Sequence, residues 1–179
     1  FPPHPHRDME IITYVRKGAI THEDNLGNRG RTVAGDVQVM SAGTGIRHAE
    51  YNREDGETQI FQIWILPRAT GLAPAWGTRP FPRDSRAGRF VPLASGFEGD
   101  EDALPIRADA RVLGATLKAG ETARYVLGAQ RRAYLVPATG ALEVDGVHVK
   151  ARDGVAISDA GAFEVKALED SEIVLVDVA

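Results

Sequence analysis

The feature that most constrains the fold is a succession of short β-type segments between turn signals, with no amphipathic helix longer than about two turns. Residues 10–16 (EIITYVR) are rich in β-branched and aromatic side chains, and residues 58–66 (TQIFQIWIL) are apolar on both faces, as in a covered central strand. Asp145-Gly146, between two alternating runs, is a strong signal for a two-residue β-hairpin. Short strands spaced by roughly 8–12 residues are typical of a sandwich or barrel, so an all-β protein is predicted.

The predicted strands fall into two groups, residues 1–66 and residues 111–179. The intervening residues 67–110 contain six of the ten prolines and several glycines, which interrupt regular strands. We therefore expect two β domains joined by a loop-rich connector with one or two short strands. The chain begins with Phe1, and no strand precedes its histidine-rich opening segment. We expect that N-terminal strands of the first domain are missing from this chain.

The composition argues against several classes of protein. The chain has no cysteine, which excludes disulfides, thiolate metal sites and a cysteine nucleophile. Its net charge of −4 argues against tight binding to a nucleic-acid backbone. No apolar stretch approaches about 18 residues, so no membrane-spanning helix is predicted. No signal peptide is visible. We expect a cytoplasmic protein, since the lack of cysteine fits a reducing compartment.

The first group of candidate functional residues is the opening sequence His4-Pro5-His6. In an extended segment residues i and i+2 point to the same face, and Pro5 favours the extended conformation of His4. Two imidazoles on one face suit two ligands of one metal ion. Glu10 is an even number of residues further along the chain, so it would lie on the same face and could join them if the strand is continuous.

The second group is His48 and Glu50. They are again two residues apart, so on a strand both side chains lie on the same face and can point inward together. Gly43 and Gly45 precede them and allow a tight turn with positive φ. Three neutral imidazoles and one carboxylate leave one or two coordination positions open, as in reactive rather than structural metal sites. The two groups together predict a metal centre in the first β domain.

The remaining two histidines are expected to lie at the surface. His22 belongs to the polar run HEDN and is predicted to be an exposed turn residue. His148 lies next to the predicted Asp145-Gly146 turn and is predicted to be exposed on a strand.

The stretches HPHRDMEIITYV and GDVQVMSAGTGIRHAEYN resemble the two metal-binding motifs of the cupin superfamily. The sequence GTGIRHAEYN is most similar to the pirin family, whose bacterial members include quercetin 2,3-dioxygenase-like proteins. The matching positions are His4, His6, Glu10 and Gly18 in the first motif, and Gly35, Gly45, His48 and Asn52 in the second, with Gly43 in place of a proline. The resemblance implies a bicupin of two antiparallel jelly-roll β-barrels. Its N-terminal barrel would be incomplete in this chain, and its degenerate C-terminal barrel would lack metal ligands.

The resemblance also bears on the ligand set. Cupins in general take their carboxylate ligand from the first motif, which would be Glu10, whereas pirins take it from the second motif, which is Glu50. Following the closer resemblance, we predict one divalent metal ion bound by His4, His6, His48 and Glu50, with Glu10 kept as a candidate for the surrounding shell. Fe(II) is the expected metal, although Zn, Mn, Co, Ni and Cu suit the same donors.

The activity implied by the resemblance is a dioxygenase that opens the heterocycle of a flavonol such as quercetin with O₂, with Glu50 as ligand and catalytic base. The substrate would be a small aromatic molecule. The alternative is an iron-dependent regulatory protein that contacts a transcription factor or another protein partner without turnover. Apolar side chains available to line a substrate site, or to pack in the core, are Tyr14, Met40, Ile46, Phe61 and Trp64.

Overall fold

The computed structural model describes residues 1–179 and is almost entirely β, with one short 3₁₀ helix at Arg83–Arg86. The strands are β1 His4–His6, β2 Glu10–Lys17, β3 Ala19–Asp24, β4 Arg29–Val33, β5 Val37–Ser41, β6 Ile46–Tyr51, β7 Gln59–Ile65, β8 Ala75–Arg79, β9 Val91–Ser95, β10 Leu104–Pro105, β11 Ala110–Leu117, β12 Thr122–Val126, β13 Arg132–Thr139, β14 Leu142–Val144, β15 Val147–Val149, β16 Val155–Ile157, β17 Ala162–Ala167 and β18 Ser171–Val178. The chain forms two compact units: unit 1 contains Phe1–Pro82 and Ala94–Asp109, and unit 2 contains Arg83–Leu93 and Ala110–Ala179. None of the helical structure is long and apolar enough to cross a bilayer.

Unit 1 consists of two four-stranded sheets with the orders β1-β6-β3-β4 and β7-β2-β5-β8. Every ladder in them is antiparallel. Strand β2 is central in its sheet, where Ile12 pairs with Val39 of β5 and with Ile63 of β7, and residues 10–15 are all buried. Gly18 makes the turn into β3 with φ +69, and a Cβ at this position would lie 2.8 Å from the carbonyl oxygen of Glu57.

Strand β7 differs from the expectation for residues 58–66. It lies at the edge of its sheet and pairs only with β2. From Phe61 to Ile65 its side chains alternate between half-buried and exposed, so one of its faces is uncovered. Trp64 is 54% exposed, and Leu66, just beyond the strand, is 75% exposed. The prediction of a covered central strand is wrong here, because composition says neither how many strands pair with a segment nor what packs against its faces.

Unit 2 also contains strands of two sheets, with the neighbouring strands β11-β18-β13-β16 in one and β12-β17-β14-β15 in the other. Its core includes Leu135, Leu142, Phe163 and Ile173, all at most 3% exposed. Strand β17 (AFEVKA) alternates between buried and exposed side chains, as a strand with one core-facing side should. The predicted hairpin is confirmed: β14 and β15 pair across Asp145-Gly146, both with positive φ as a type I′ turn requires.

Residues 67–110, expected to form a loop-rich connector, contain the short strands β8, β9 and β10 and the 3₁₀ helix. They are divided between the two units, and β10 pairs with the end of β9 in the parallel direction. The predicted boundaries at residues 66 and 111 remain predictions. The all-β prediction with two antiparallel β units is confirmed.

Candidate metal centre

Three of the predicted ligands converge because β1 pairs antiparallel with β6. His4 lies directly opposite His48 in the ladder, and His6 lies opposite Ile46. Since His4 and His6 are two residues apart on one strand, their rings project to the same side, with centroids 4.7 Å apart. The ring of His48 is 4.5 Å from that of His4 and 5.0 Å from that of His6. One nitrogen from each ring lies within 4.8 Å of the other two.

The protonation of these imidazoles favours metal binding. Burial, followed by the neighbouring charges of His22, His4 and His6, lowers the pKa of His48 to about 3. Burial, followed by the charge of His4, also lowers the pKa of His6. Neutral imidazole is the form that binds a metal ion. His6 and His48 therefore offer unprotonated nitrogens at neutral pH.

The donor spacing fits a single divalent ion. The Nε2 atoms of His4 and His48 are 3.0 Å apart. Two nitrogens that each lie about 2.0–2.1 Å from one ion can be at most about 4.2 Å apart, so this separation is compatible with a shared ion. Nδ1 of His4 lies 2.7 Å from the carbonyl oxygen of Pro2, to which it donates, so Nε2 of His4 keeps its lone pair. A cation between the rings would satisfy that lone pair.

Glu50 lies two residues beyond His48 on β6 and is buried. Its Oε1 accepts hydrogen bonds from Nε2 of Gln38 at 2.6 Å and from the hydroxyl of Thr13 at 3.5 Å, and its Oε2 accepts one from Nε2 of Gln62 at 2.9 Å. These donors come from β2, β5 and β7, so the two sheets of unit 1 face each other around this carboxylate. Burial raises the pKa of Glu50, against the lowering effect of the Gln62 hydrogen bond.

Glu50 does not join the first cluster of donors directly. Its oxygen lies within 4.8 Å of ring nitrogens of His22 and His48, which form a second group of converging ligand atoms. His48 belongs to both groups and connects them. His48 therefore links the two groups, which together contain the four predicted ligands and His22.

Glu10, the other candidate carboxylate, belongs to neither group. It is buried on β2, and its Oε2 accepts hydrogen bonds from the hydroxyl of Ser41 at 2.6 Å and from the backbone N–H of Arg107 at 3.1 Å. Its visible partners are therefore structural ones within unit 1.

The prediction for His22 is wrong. His22 is fully buried on β3, opposite Glu50 in the β3–β6 ladder. Its Nε2 lies 2.9 Å from Oδ2 of Asp24, and its Nδ1 lies 3.3 Å from Nδ1 of His48. The polar letters HED suggested a turn, but β3 continues to Asp24. The available signal was the position of His22 two residues after the apolar Ile20, because side chains two residues apart on a strand lie on the same face.

His148 lies on β15 with a side chain that is 73% exposed, and its Nε2 is 3.3 Å from Oε2 of Glu143. The predicted surface position is confirmed. All histidines that could take part in metal binding are therefore in unit 1.

The side chains expected either to line a site or to pack in the core have different positions. Tyr14, Met40 and Ile46 are buried, and Tyr14 stacks with Phe61 at 6.5 Å between centroids. Trp64 instead stands beside the cluster, with its ring 5.1 Å from that of His6 in an edge-on arrangement. It is the one of the five that offers an exposed aromatic surface next to the histidines.

Comparison with known proteins identifies the family. The family model described as Pirin matches residues 1–65, and the model of the quercetinase C-terminal cupin domain matches residues 93–178. A pirin-like protein of Caulobacter vibrioides is 69% identical over 179 residues, which is 100% of this chain and 77% of that protein. The quercetin 2,3-dioxygenase of Escherichia coli K12 is 37% identical, and the match covers 99% of this chain and 76% of that enzyme.

A solved structure agrees with this assignment. The bacterial pirin YhhW of Escherichia coli, crystallised in complex with nickel(II), superposes with a TM-score of 0.90 at 36% identity, covering 99% of this chain and 76% of that chain. The resemblance first seen in the two histidine motifs is thereby confirmed, and the chain belongs to the pirin family of cupin proteins.

Proposed function

We propose that this pirin is a metal-dependent dioxygenase that opens the heterocycle of a flavonol such as quercetin with O₂. The observation that carries the proposal is the convergence of the His4, His6 and His48 rings from two paired strands. The similarity to the quercetin 2,3-dioxygenase of Escherichia coli supports the choice of reaction.

In this proposal, one divalent ion is held by His4, His6, His48 and Glu50. Fe(II) is our choice for the active form, and Zn, Mn, Co, Ni and Cu accept the same nitrogen and oxygen donors. Such an ion, when bound, supplies Lewis acidity that lowers the pKa of a coordinated hydroxyl group. Burial lowers the pKa of His48 and of His6, which keeps their donor nitrogens unprotonated and available.

Glu50 has the second role of accepting the proton of the substrate's hydroxyl group. The amide groups of Gln38 and Gln62 donate to different oxygens of its carboxylate and so hold it in one orientation. Nε1 of Trp64 in turn donates to Oε1 of Gln62 at 3.1 Å. A base held by two amide donors needs little reorganisation when a substrate arrives.

The substrate class follows from the surroundings of the histidines. The exposed indole of Trp64, beside His6, offers an apolar face on which a flat aromatic ring can stack. A flavonol combines such rings with an acidic hydroxyl group, which matches a site composed of an aromatic surface, a Lewis acid and a base.

The test is turnover by iron-loaded protein incubated with quercetin under air. Loss of the flavonol absorbance and consumption of O₂ are followed together. Glu50→Gln should lower turnover by roughly 10²–10⁴-fold, as expected for loss of a general base. Because an amide oxygen can still bind a cation, part of the metal content should remain. His148→Ala is the matched control and should behave like wild type.

Two results would contradict the proposal. The first is equal turnover by Glu50→Gln and wild type, which removes the role of the base. The second is stoichiometric iron without any turnover of quercetin; if the iron-loaded protein then binds another protein only when iron is present, the regulatory function is favoured instead.

A further inference from the structure

We propose that Asp24 and His22 are positioning residues that hold His48 in the tautomer whose Nε2 carries no proton and faces His4. This inference rests on the metal-binding role proposed for His48. It concerns which nitrogen of His48 is available, and it assigns no contact with substrate to either positioning residue.

The chain of hydrogen bonds starts at Asp24, whose carboxylate acts only as an acceptor. Its Oδ1 accepts the backbone N–H groups of Leu26 at 2.9 Å and Asn28 at 3.0 Å. Its Oδ2 accepts the side-chain amide of Asn28 at 2.8 Å and also faces Nε2 of His22 at 2.9 Å. A carboxylate that is an acceptor in each of these contacts requires Nε2 of His22 to be the donor.

The tautomer of His22 then determines that of His48. A neutral imidazole has one protonated nitrogen, so donation from Nε2 leaves Nδ1 of His22 as an acceptor. Nδ1 of His48 lies 3.3 Å from it and must carry the proton of this contact. Nε2 of His48 is therefore unprotonated, and it is the atom that lies 3.0 Å from Nε2 of His4.

His4 is held in the matching state by a different acceptor. Its Nδ1 donates to the carbonyl oxygen of Pro2, so its Nε2 is also unprotonated. Two lone pairs 3.0 Å apart repel each other unless a cation lies near both. The hydrogen bonds made by Nδ1 of His4 and Nδ1 of His48 thus leave both Nε2 atoms free to bind a metal ion. Carboxylates and carbonyls orient metal-binding histidines in the same way generally.

Packing keeps the His22 ring in place. The ring is fully buried and stacks on Trp76, with centroids 4.8 Å apart and planes inclined by 13°. A Cβ at Gly30 would lie 2.2 Å from the Trp76 ring, so the glycine leaves the space that Trp76 occupies. His22 is therefore enclosed between Trp76 and His48, with little freedom to turn its nitrogens away.

A competing interpretation is that His22 is itself a metal ligand. Its ligand atom lies within 4.8 Å of those of His48 and Glu50, which makes that group a candidate in its own right. The two interpretations differ in one observable: a positioning His22 keeps Nδ1 as a hydrogen-bond acceptor without metal, whereas a ligand His22 bonds a metal ion through Nδ1.

The two interpretations of His22 can be distinguished by long-range ¹H–¹⁵N correlation spectra of the histidine rings. The spectra are recorded on metal-free and on Zn²⁺-loaded protein. We expect a protonated Nδ1 on His48 and a protonated Nε2 on His22 in both states, with zinc changing the Nε2 signals of His4 and His48. A proton on Nε2 of His48 in metal-free protein, or a zinc-bound Nδ1 on His22, would overturn the proposal.

Two substitutions of His22 distinguish an acceptor from a packing element. His22→Asn keeps an acceptor near the position of Nδ1 but loses the ring that stacks on Trp76. His22→Phe keeps the ring but has no acceptor for Nδ1–H of His48. We expect the zinc affinity, measured by competition with a chelating dye, to fall by roughly 10–100-fold in His22→Phe and by much less in His22→Asn. The opposite order would mean that His22 only fills space.

Asp24→Asn tests the other end of the chain. The amide oxygen of the new side chain must accept the hydrogen bonds from the backbone N–H groups of Leu26 and Asn28. Its amide nitrogen therefore takes the place of Oδ2 and offers a donor to Nε2 of His22. Both tautomers should then reverse, and the zinc affinity should again fall by roughly 10–100-fold. Glu23→Gln removes the same charge from the adjacent residue, which pairs with Arg29 and Arg53, and should leave affinity and tautomers unchanged.

The results separate this inference from the proposed function. Expected tautomers and zinc affinities without quercetin turnover would support the positioning pair and reject the dioxygenase. Turnover together with unchanged tautomers and affinity in Asp24→Asn would support the dioxygenase and reject the pair. Thermal unfolding of each metal-free variant shows whether it is folded. If a variant does not fold, the tautomers of His22 and His48 in the wild-type protein still test the proposal.

Discussion

Replacement of His48 by alanine should remove most of the stability that unit 1 gains from a bound metal ion. His48 is 2% exposed, and it alone belongs to both groups of converging ligand atoms. Its loss takes one nitrogen from the His4 and His6 cluster and also separates that cluster from Glu50. No other single substitution affects both groups.

The magnitude follows from the linkage between binding and folding. With free metal at about 100 times the dissociation constant, binding stabilises the wild-type protein by about 2.7 kcal/mol. Loss of an orienting residue around a metal ligand costs 10–100-fold in affinity, so loss of the ligand itself should cost at least about 100-fold. The same metal concentration then stabilises the variant by only about 0.4 kcal/mol. The difference of about 2.3 kcal/mol corresponds to roughly 5–9 °C in the metal-induced rise of Tm.

The variant also has an effect without metal that must be measured separately. Its alanine leaves Nδ1 of His22 without the hydrogen bond from His48, which costs about 1–3 kcal/mol for a buried group. Each variant is therefore compared with its own chelator-treated form in thermal unfolding, at a fixed metal concentration. His148→Ala, which alters an exposed side chain in unit 2, should show the full wild-type rise. An undiminished metal-induced rise in His48→Ala would refute the assignment.

The other predictions concern stability and are measured by denaturant unfolding. Gly43→Ala should lower the free energy of unfolding by more than the roughly 1–3 kcal/mol of backbone strain expected at φ +48. The additional loss is expected because the new Cβ would lie 2.1 Å from the carbonyl oxygen of Leu72. Gly27→Ala, with φ +89 and no neighbour within 4 Å, should show only the smaller cost of backbone strain; equal losses would rule out the steric argument. Leu135→Ala should cost about 2–5 kcal/mol, because this leucine is fully buried in the core of unit 2. Val126→Ala, 66% exposed, should change stability by less than about 0.5 kcal/mol, and a comparable loss there would contradict the assigned core.

The predictions that succeeded depend on local rules. Side chains two residues apart on a strand share a face, so the proximity of His4 and His6 could be predicted without knowing the fold. The Asp145-Gly146 hairpin depends equally on a local property, the positive φ that both residues adopt. The all-β class follows from many such segments taken together, each identifiable within a few residues.

The errors occurred where the environment of a strand mattered. Residues 58–66 have the composition of a covered strand, yet β7 has one neighbour in its sheet. The polar run at His22 suggested an exposed turn, yet β3 stays paired with β6 as far as Asp24. Burial is a property of what packs against a segment, and that information lies elsewhere in the chain.

The sequence by itself determined the β architecture, the parity of both histidine motifs and the membership of a cupin family. Only the tertiary structure decided that β1 and β6, some 40 residues apart, pair so that His4 faces His48. It also decided that Glu10 is engaged by Ser41 and the backbone of Arg107, while Glu50 lies beside His48 and the buried His22. The physical reason is that parity is set by backbone geometry within one strand. The partner of each buried polar group is set by long-range strand pairing.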